Sequence, residues 1–151
     1  MAVMGALEAA LTDPGVRPRV VEACCVLVDA EVAARSGLTG MAVRAGYRAV
    51  KAIRPTMVRD AVDHLLPDFA AALEPLHAEA PGSAFEPHLR SNADRVVEAL
   101  LGVTDHRIHQ AKSGAIRKTY AGLRGIARAQ LTASVPGLAR TLAPFVPEAS
   151  S

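Results

Sequence analysis

The sequence predicts an all-α protein, a compact helical bundle built from two tandem-duplicated helical units related by a pseudo-two-fold axis. Three observations predict it. Apolar residues recur at three- and four-residue spacing along most of the chain, and no β-branched alternating run competes with them. Half of the residues are apolar but only 3% are aromatic, so the core is Ala, Val and Leu, which suits closely packed helices. Most of the chain also recurs in order. Arg19-Val20-Val21-Glu22-Ala23 returns as Arg95-Val96-Val97-Glu98-Ala99, and Asp29 as Asp105. Ala42-Val43-Arg44, Tyr47, Val50, Lys51 and Ile53 return as Ala115-Ile116-Arg117, Tyr120, Leu123, Arg124 and Ile126. Pro67, Ala70, Leu73 and Pro75 return as Pro136, Ala139, Leu142 and Pro144. The offset drifts only from 76 through 77 and 73 to 69, so a few short gaps align the halves.

A repeat of this length exceeds the common solenoid periods. The whole chain, 1–151, is therefore expected to form one domain, with one unit at about 16–79 and the other at about 84–147.

The elements follow in order. A short helix is expected over 3–11, ended by the turn chemistry of Thr12-Asp13-Pro14-Gly15. The next runs over about 18–35, with Val20, Cys24, Leu27, Val28 and Val32 on one side and Gly37 as its stop. Thr39 is the expected N-cap of a helix to residue 53 or 54. Pro55 starts another, with Val58, Val62, Leu65 and Leu66 inward, and Pro67 takes the first position of the helix of Phe69, Leu73 and Leu76. Ala80-Pro81-Gly82-Ser83 links the units. In the second unit a helix is expected over about 87–101, then an irregular stretch or short helix to Ser113, which caps the helix of Ile116, Leu123 and Ile126. Pro136 opens the last helix, through Leu138, Leu142 and Phe145, and 148–151 should fray.

Net charge is +2, unevenly spread. Residues 1–105 hold 10 bases and 14 acids, whereas 106–151 hold 7 bases and 1 acid. Such asymmetry suits a polyanionic partner, or reflects acids lost from one unit. No apolar run approaches the ~18–20 residues a spanning helix needs. Met1-Ala2-Val3-Met4-Gly5 carries no signal-like segment, so a cytoplasmic location and no membrane partner are expected. Cys24 and Cys25 stand where the second unit has Leu100 and Leu101, which makes them small core hydrophobes rather than a disulfide or a zinc site.

Three constellations could carry chemistry. Arg44, Tyr47 and Lys51 fall on one side of a helix, and Arg117, Tyr120 and Arg124 repeat the pattern. Paired bases flanking a hydroxyl could bind a phosphate or carboxylate. Glu22 and Asp29 are repeated too, as Glu98 and Asp105, so internal salt bridges with a tyrosine at the rim explain the stripe better than a ligand does. Secondly, residues 32–51 resemble a DNA-binding helix-turn-helix, with Arg44, Arg48 and Lys51 placed for phosphates. Ser36 and Gly46 depart from its apolar positions, and the second unit loses the spacing. Thirdly, Glu74-Pro75-Leu76-His77 has the Glu-x-x-His spacing of di-iron bundles, and His106 and His109 lie three apart. Their counterparts are Ala143, Ala30 and Ala33, so histidines at the rim are favoured over ligands.

Val28-Asp29-Ala30-Glu31-Val32 leading to Ser36-Gly37-Leu38-Thr39-Gly40, Leu65-Leu66-Pro67-Asp68-Phe69, Ala99-Leu100-Leu101-Gly102-Val103-Thr104-Asp105 and Tyr120-Ala121-Gly122-Leu123-Arg124-Gly125 together resemble a small actinobacterial domain family of unknown function. The resemblance spans about residues 15–145 and implies an all-helical bacterial protein, without activity, cofactor or site residues.

The residues favour a non-enzymatic binding or interaction protein; Arg44, Tyr47, Lys51, Arg117, Tyr120 and Arg124 are its candidate anion site, with internal salt bridges the favoured reading of that stripe. The alternatives are a DNA-binding protein through 32–51 and a metal-dependent helical enzyme. No catalytic residue, metal ligand or cofactor is assigned. A protein partner or a second copy is the expected company, with nucleic acid less favoured.

Overall fold

Seven α-helices make up most of the described residues, 4–148, of the computed structural model. They are α1 (Ala6–Thr12), α2 (Arg17–Ala34), α3 (Gly37–Ile53), α4 (Met57–Glu79), α5 (Phe85–Ser91), α6 (Ala93–His109) and α7 (Gly114–Leu142). Short 3-10 turns follow at Gly82–Ala84 and Ala143–Phe145. Among the described residues there is no strand, and no helix is long and apolar enough to cross a membrane. The expected start of the first helix at residue 3 and the fraying of 149–151 lie outside the described residues.

The core occupies one end of the bundle. Leu7 and Leu11 of α1, Val20 and Val21 of α2, and Leu66, Ala70, Leu73 and Leu76 of α4 are buried there. Phe85 and Leu89 of α5, Val96, Val97, Leu100 and Leu101 of α6, and Val135, Ala139 and Leu142 of α7 complete it. Between Val21 and Leu66 the only buried residue is Gly40, and between Leu101 and Val135 there is none. Two helical arms therefore extend from the shared core. One is the α2–α3 hairpin with the start of α4; the other is the end of α6 with the first half of α7.

Two proline rules are overridden. Pro67 does not begin a helix; α4 runs through it and Pro75, and α7 runs through Pro136. A proline inside a helix leaves the carbonyl four residues back without its donor. Arg17 Nη2 supplies one instead, donating to the Asp63 carbonyl at 2.6 Å, while Arg17 Nε bonds Asp63 Oδ1 at 2.8 Å. Burial of Leu66, Ala70 and Leu73 on both sides of the proline offsets the remaining cost.

Other boundaries move as well. The helix expected over 87–101 is two helices, parted at Asn92, whose side chain donates to the His88 carbonyl at 2.9 Å. The stretch expected to be irregular after Gly102 is helical to His109. Gly37, not Thr39, opens α3, and its φ of 73° is the left-handed turn that glycine permits. Ser113 caps α7 as the sequence predicts, accepting from the Ile116 amide at 3.3 Å. Ile53, Ile116, Leu123 and Ile126 are 76%, 53%, 52% and 49% exposed. They belong to the arms, where a helix has a neighbour on one side only.

Candidate functional site

The residues that recur in the sequence meet within each arm. On the first, the Tyr47 hydroxyl donates to Asp29 Oδ1, and Lys51 Nζ reaches the same oxygen at 3.2 Å while lying 4.6 Å from the Tyr47 ring centre. On the second, Tyr120 donates to Asp105 Oδ1 at 2.6 Å, and Arg124 binds both oxygens of Asp105, at 2.9 and 2.8 Å. Arg44 donates to the Arg35 carbonyl at the end of α2, and Arg117 to the Ala111 carbonyl just past α6. These bonds lower the Asp29 and Asp105 carboxyls, the latter to about 2, with Tyr47 the largest cause for Asp29 and Arg124 for Asp105.

Glu22 and Glu98 do not pair with the stripe. They bind Arg59 and Arg128. The sequence carries a signal for this pairing: Arg59 and Arg128 stand 69 apart, the separation of Pro67 and Pro136. All six stripe residues thus have hydrogen-bond partners inside their own arm, and the geometry favours scaffold over anion site.

The helix-turn-helix resemblance places Arg44 and Lys51 on phosphates, but both are turned to α2. Arg48 remains outward, with only its Nε near the Arg44 carbonyl at 3.4 Å. The Glu-x-x-His pair is a clamp. Glu74 accepts from the Leu7 amide at 2.9 and 3.1 Å, fixing the start of α1, and His77 Nε2 lies 3.1 Å from the Pro147 carbonyl. His106 and His109 are exposed, and among the described residues no three His, Cys, Asp or Glu could hold a metal ion.

A different feature lies where the arms leave the core. A cavity of about 350 Å³, open on one side, is bordered by α2, α4, α6 and α7. Leu27, Val28 and Val32 of α2 form one wall, and Leu131, Leu138 and Leu142 of α7 face it. Val62, Leu66, Phe69, Ala70 and Leu73 of α4 line another side, with Leu11, Val43 and Leu100 completing the lining. Cys24 opens onto it as well, and burial pushes its thiol up to about 11. Both cysteines are free and half-buried, so Cys24 packs as the small hydrophobe the sequence predicts, though not fully enclosed.

Most of the polar side chains at this cavity, Glu31, Arg35, Gln130 and Ser134, form one cluster. Arg35 Nη1 bonds Glu31 Oε2 at 3.0 Å, one turn back on α2. Its Nη2 donates to the Gln130 carbonyl at 3.1 Å and to Ser134 Oγ at 2.8 Å, and its Nε donates to the Gln130 side-chain oxygen. Arg35 thereby ties α2 to α7 across the rim. On the far side Thr104 Oγ1 lies 2.8 Å from Tyr120 Oη, so the scaffold tyrosine stands behind the cavity wall. No local motif announces this site, since its lining runs from residue 11 to 142. The i,i+4 pair Glu31 and Arg35, set beside the apolar face of α2, was its one visible trace.

The molecule is thus a two-armed helical bundle with an apolar cavity at the junction of its arms. The chain belongs to DUF6918, a family of unknown function, whose model matches residues 7–146. Neither the curated proteins nor the solved structures contain a match to it.

Proposed function

We propose that the protein binds an uncharged, largely apolar small molecule in the cavity between α2, α4, α6 and α7. The observation that carries this reading is the cavity's size and lining. An engineered apolar void of about 150 Å³ already holds benzene. This one is more than twice as large, at about 350 Å³, and falls in the range of small-molecule sites. Filling it removes apolar surface from water at roughly 25 cal/mol per Å².

The rim selects against charge. Arg35 and Glu31 neutralise one another, and the remaining Arg35 bonds go to Gln130 and Ser134. A carboxylate or ammonium ligand would have to break that bridge and lose its own hydration. A hydroxyl or carbonyl requires neither. The two free thiols suit the reducing cytoplasm, which we take as the setting.

The test compares 1-decanol, decanoate and decyltrimethylammonium by thermal shift and native mass spectrometry. The alcohol should raise the melting temperature and the two ions should not. Ala70→Phe, which fills the cavity, should abolish the shift while the variant stays folded by circular dichroism. Equal binding of decanoate, or no binding of any probe, overturns the reading. Recognition of an anion by the stripe would require Asp29 and Asp105 to release Lys51 and Arg124, and nothing in the arms favours that exchange.

A further inference from the structure

We propose that the outer face of α3, assisted by the start of α7, docks on an anionic lipid bilayer. Neither helix contains a single Asp or Glu. Both lie on the arms, and between them they carry most of the exposed large hydrophobic residues. On α3, Leu38 is 85%, Met41 60% and Ile53 76% exposed. At 100° per residue these three share one side of the helix with Ala45 and Ala49, which are exposed too. The opposite side holds Tyr47, tied to α2, so the apolar side faces away from the protein. Arg48 flanks it without an acidic partner among the described residues. On α7 the exposed Lys118 lies about 80° round the helix from the half-exposed Ile126, with Leu123 and Ile116 further round from it.

A helix with an exposed apolar face bordered by Arg and Lys is built to lie in a bilayer interface. Its 17 residues would rest in the plane of the surface rather than span it. Charge decides between partners. A second copy would bring one acid-free basic face against another, which repels. A nucleic acid would satisfy Arg48 and Lys118 but would leave Leu38, Met41 and Ile53 in water. An anionic bilayer takes both the charge and the apolar side chains. This inference stands apart from the cavity reading, since it uses none of the cavity's residues.

The experiment is co-sedimentation of the full chain with vesicles of phosphatidylglycerol and phosphatidylcholine, against vesicles of phosphatidylcholine alone. The mixed vesicles should retain the protein, less so at high ionic strength, and the neutral ones should not. Leu38→Ser with Met41→Ser, and separately Arg48→Glu with Lys118→Glu, should each weaken retention by roughly tenfold or more. All four side chains are exposed, and circular dichroism should show both variants folded. The chain has no Trp, so Met41→Trp provides a silent-background reporter whose emission should shift to the blue on the mixed vesicles. The proposal is overturned by equal retention on neutral vesicles or by no retention on either. It is also overturned if the Leu38 and Met41 changes only dissociate a dimer, or if the Arg48 and Lys118 changes only abolish duplex DNA binding.

Discussion

Tyr120 donates a hydrogen bond to Asp105 Oδ1 at 2.6 Å, and through Thr104, 2.8 Å from the same hydroxyl, it reaches the wall of the central cavity. Tyr47 makes the equivalent bond to Asp29 on the other arm, with Lys51 in place of Arg124. Each arm is thereby locked by a Tyr–carboxylate–base triad outside the buried core. Arg35 ties the end of α2 to the second half of α7, at Gln130 and Ser134. The triads hold each arm's own two helices together, and Arg35 sets the separation on which the cavity depends.

The first prediction is a pH dependence. Asp105 is held at about 2, below its ordinary 3.8, first by Arg124 and then by Tyr120. A carboxyl depressed in the folded state contributes stability that is fully present above its unfolded value and is lost as the pH falls through the folded one. That stability should be intact at neutral pH and disappear between about 4 and about 2. Asp105→Asn should therefore lower the urea midpoint at pH 7 and leave it close to wild type near pH 2. An equal deficit at both pH values would show that the carboxylate's charge is not what holds the arm.

The two tyrosines should not be equal. Tyr120 has Asp105 and Thr104 as partners, whereas Tyr47 has Asp29 alone, and the Asp29 side chain is 54% exposed against 37% for Asp105. Tyr120→Phe should cost about 1 kcal/mol and Tyr47→Phe less, within the usual range for one hydrogen bond. Chemical denaturation of the two single variants decides the order. A larger loss at Tyr47 would mean that burial does not rank these bonds.

Asp29, Tyr47 and Lys51, and Asp105, Tyr120 and Arg124, were visible as repeated sets at helical spacing, because a repeated contact leaves both of its ends in the sequence. The Gly37 stop and the Ser113 cap were legible because turn and cap chemistry is local. Pro67 and Pro136 misled, because a local rule against proline in helices was outweighed by burial on both sides, and at Pro67 by Arg17 on the Asp63 carbonyl, 46 residues away. The four-residue gap between the offsets 73 and 69 falls where Arg54-Pro55-Thr56 parts α3 from α4. Between Ile126 and Arg128, the counterparts of Ile53 and Arg59 at those offsets, α7 is continuous. Periodicity also put Ile53 and Ile126 on an apolar face without telling whether anything covered it. The cavity had no local signature, since packing four helices around a space is a property of their arrangement.

The cysteines give a chemical test of that arrangement. Cys24 lines the cavity, with its thiol pushed up by burial to about 11; Cys25 is raised as well, but lies outside the lining. Thiolate is the reactive form. Iodoacetamide near neutral pH should modify Cys25 well before Cys24, as mass spectrometry of the digested protein would show. A bound apolar ligand should slow Cys24 further and leave Cys25 unchanged. Labelling of both at one rate would show that the cavity wall opens freely.

Two glycines in α3 should respond in opposite senses to the same substitution. Glycine within a helix costs roughly 0.5–1 kcal/mol relative to alanine. At Gly46 a Cβ would meet nothing within 4 Å, so Gly46→Ala should recover about that amount. At Gly40 a Cβ would lie 2.6 Å from the Arg35 carbonyl carbon and 2.8 Å from its oxygen. Those are backbone atoms, at the point where α2 ends and Arg44 donates to the same Arg35 carbonyl. They cannot yield without moving α3 away from α2. The clash should exceed the propensity gain, leaving Gly40→Ala destabilised by about 1–3 kcal/mol, the usual range for overpacking. Opening the α2–α3 turn would also shift Arg35, so Gly40→Ala should weaken alcohol binding in the cavity while Gly46→Ala leaves it intact. Melting temperatures of the two variants, with and without 1-decanol, read both effects together. A stabilised Gly40→Ala would mean that α2 and α3 are not held at this separation.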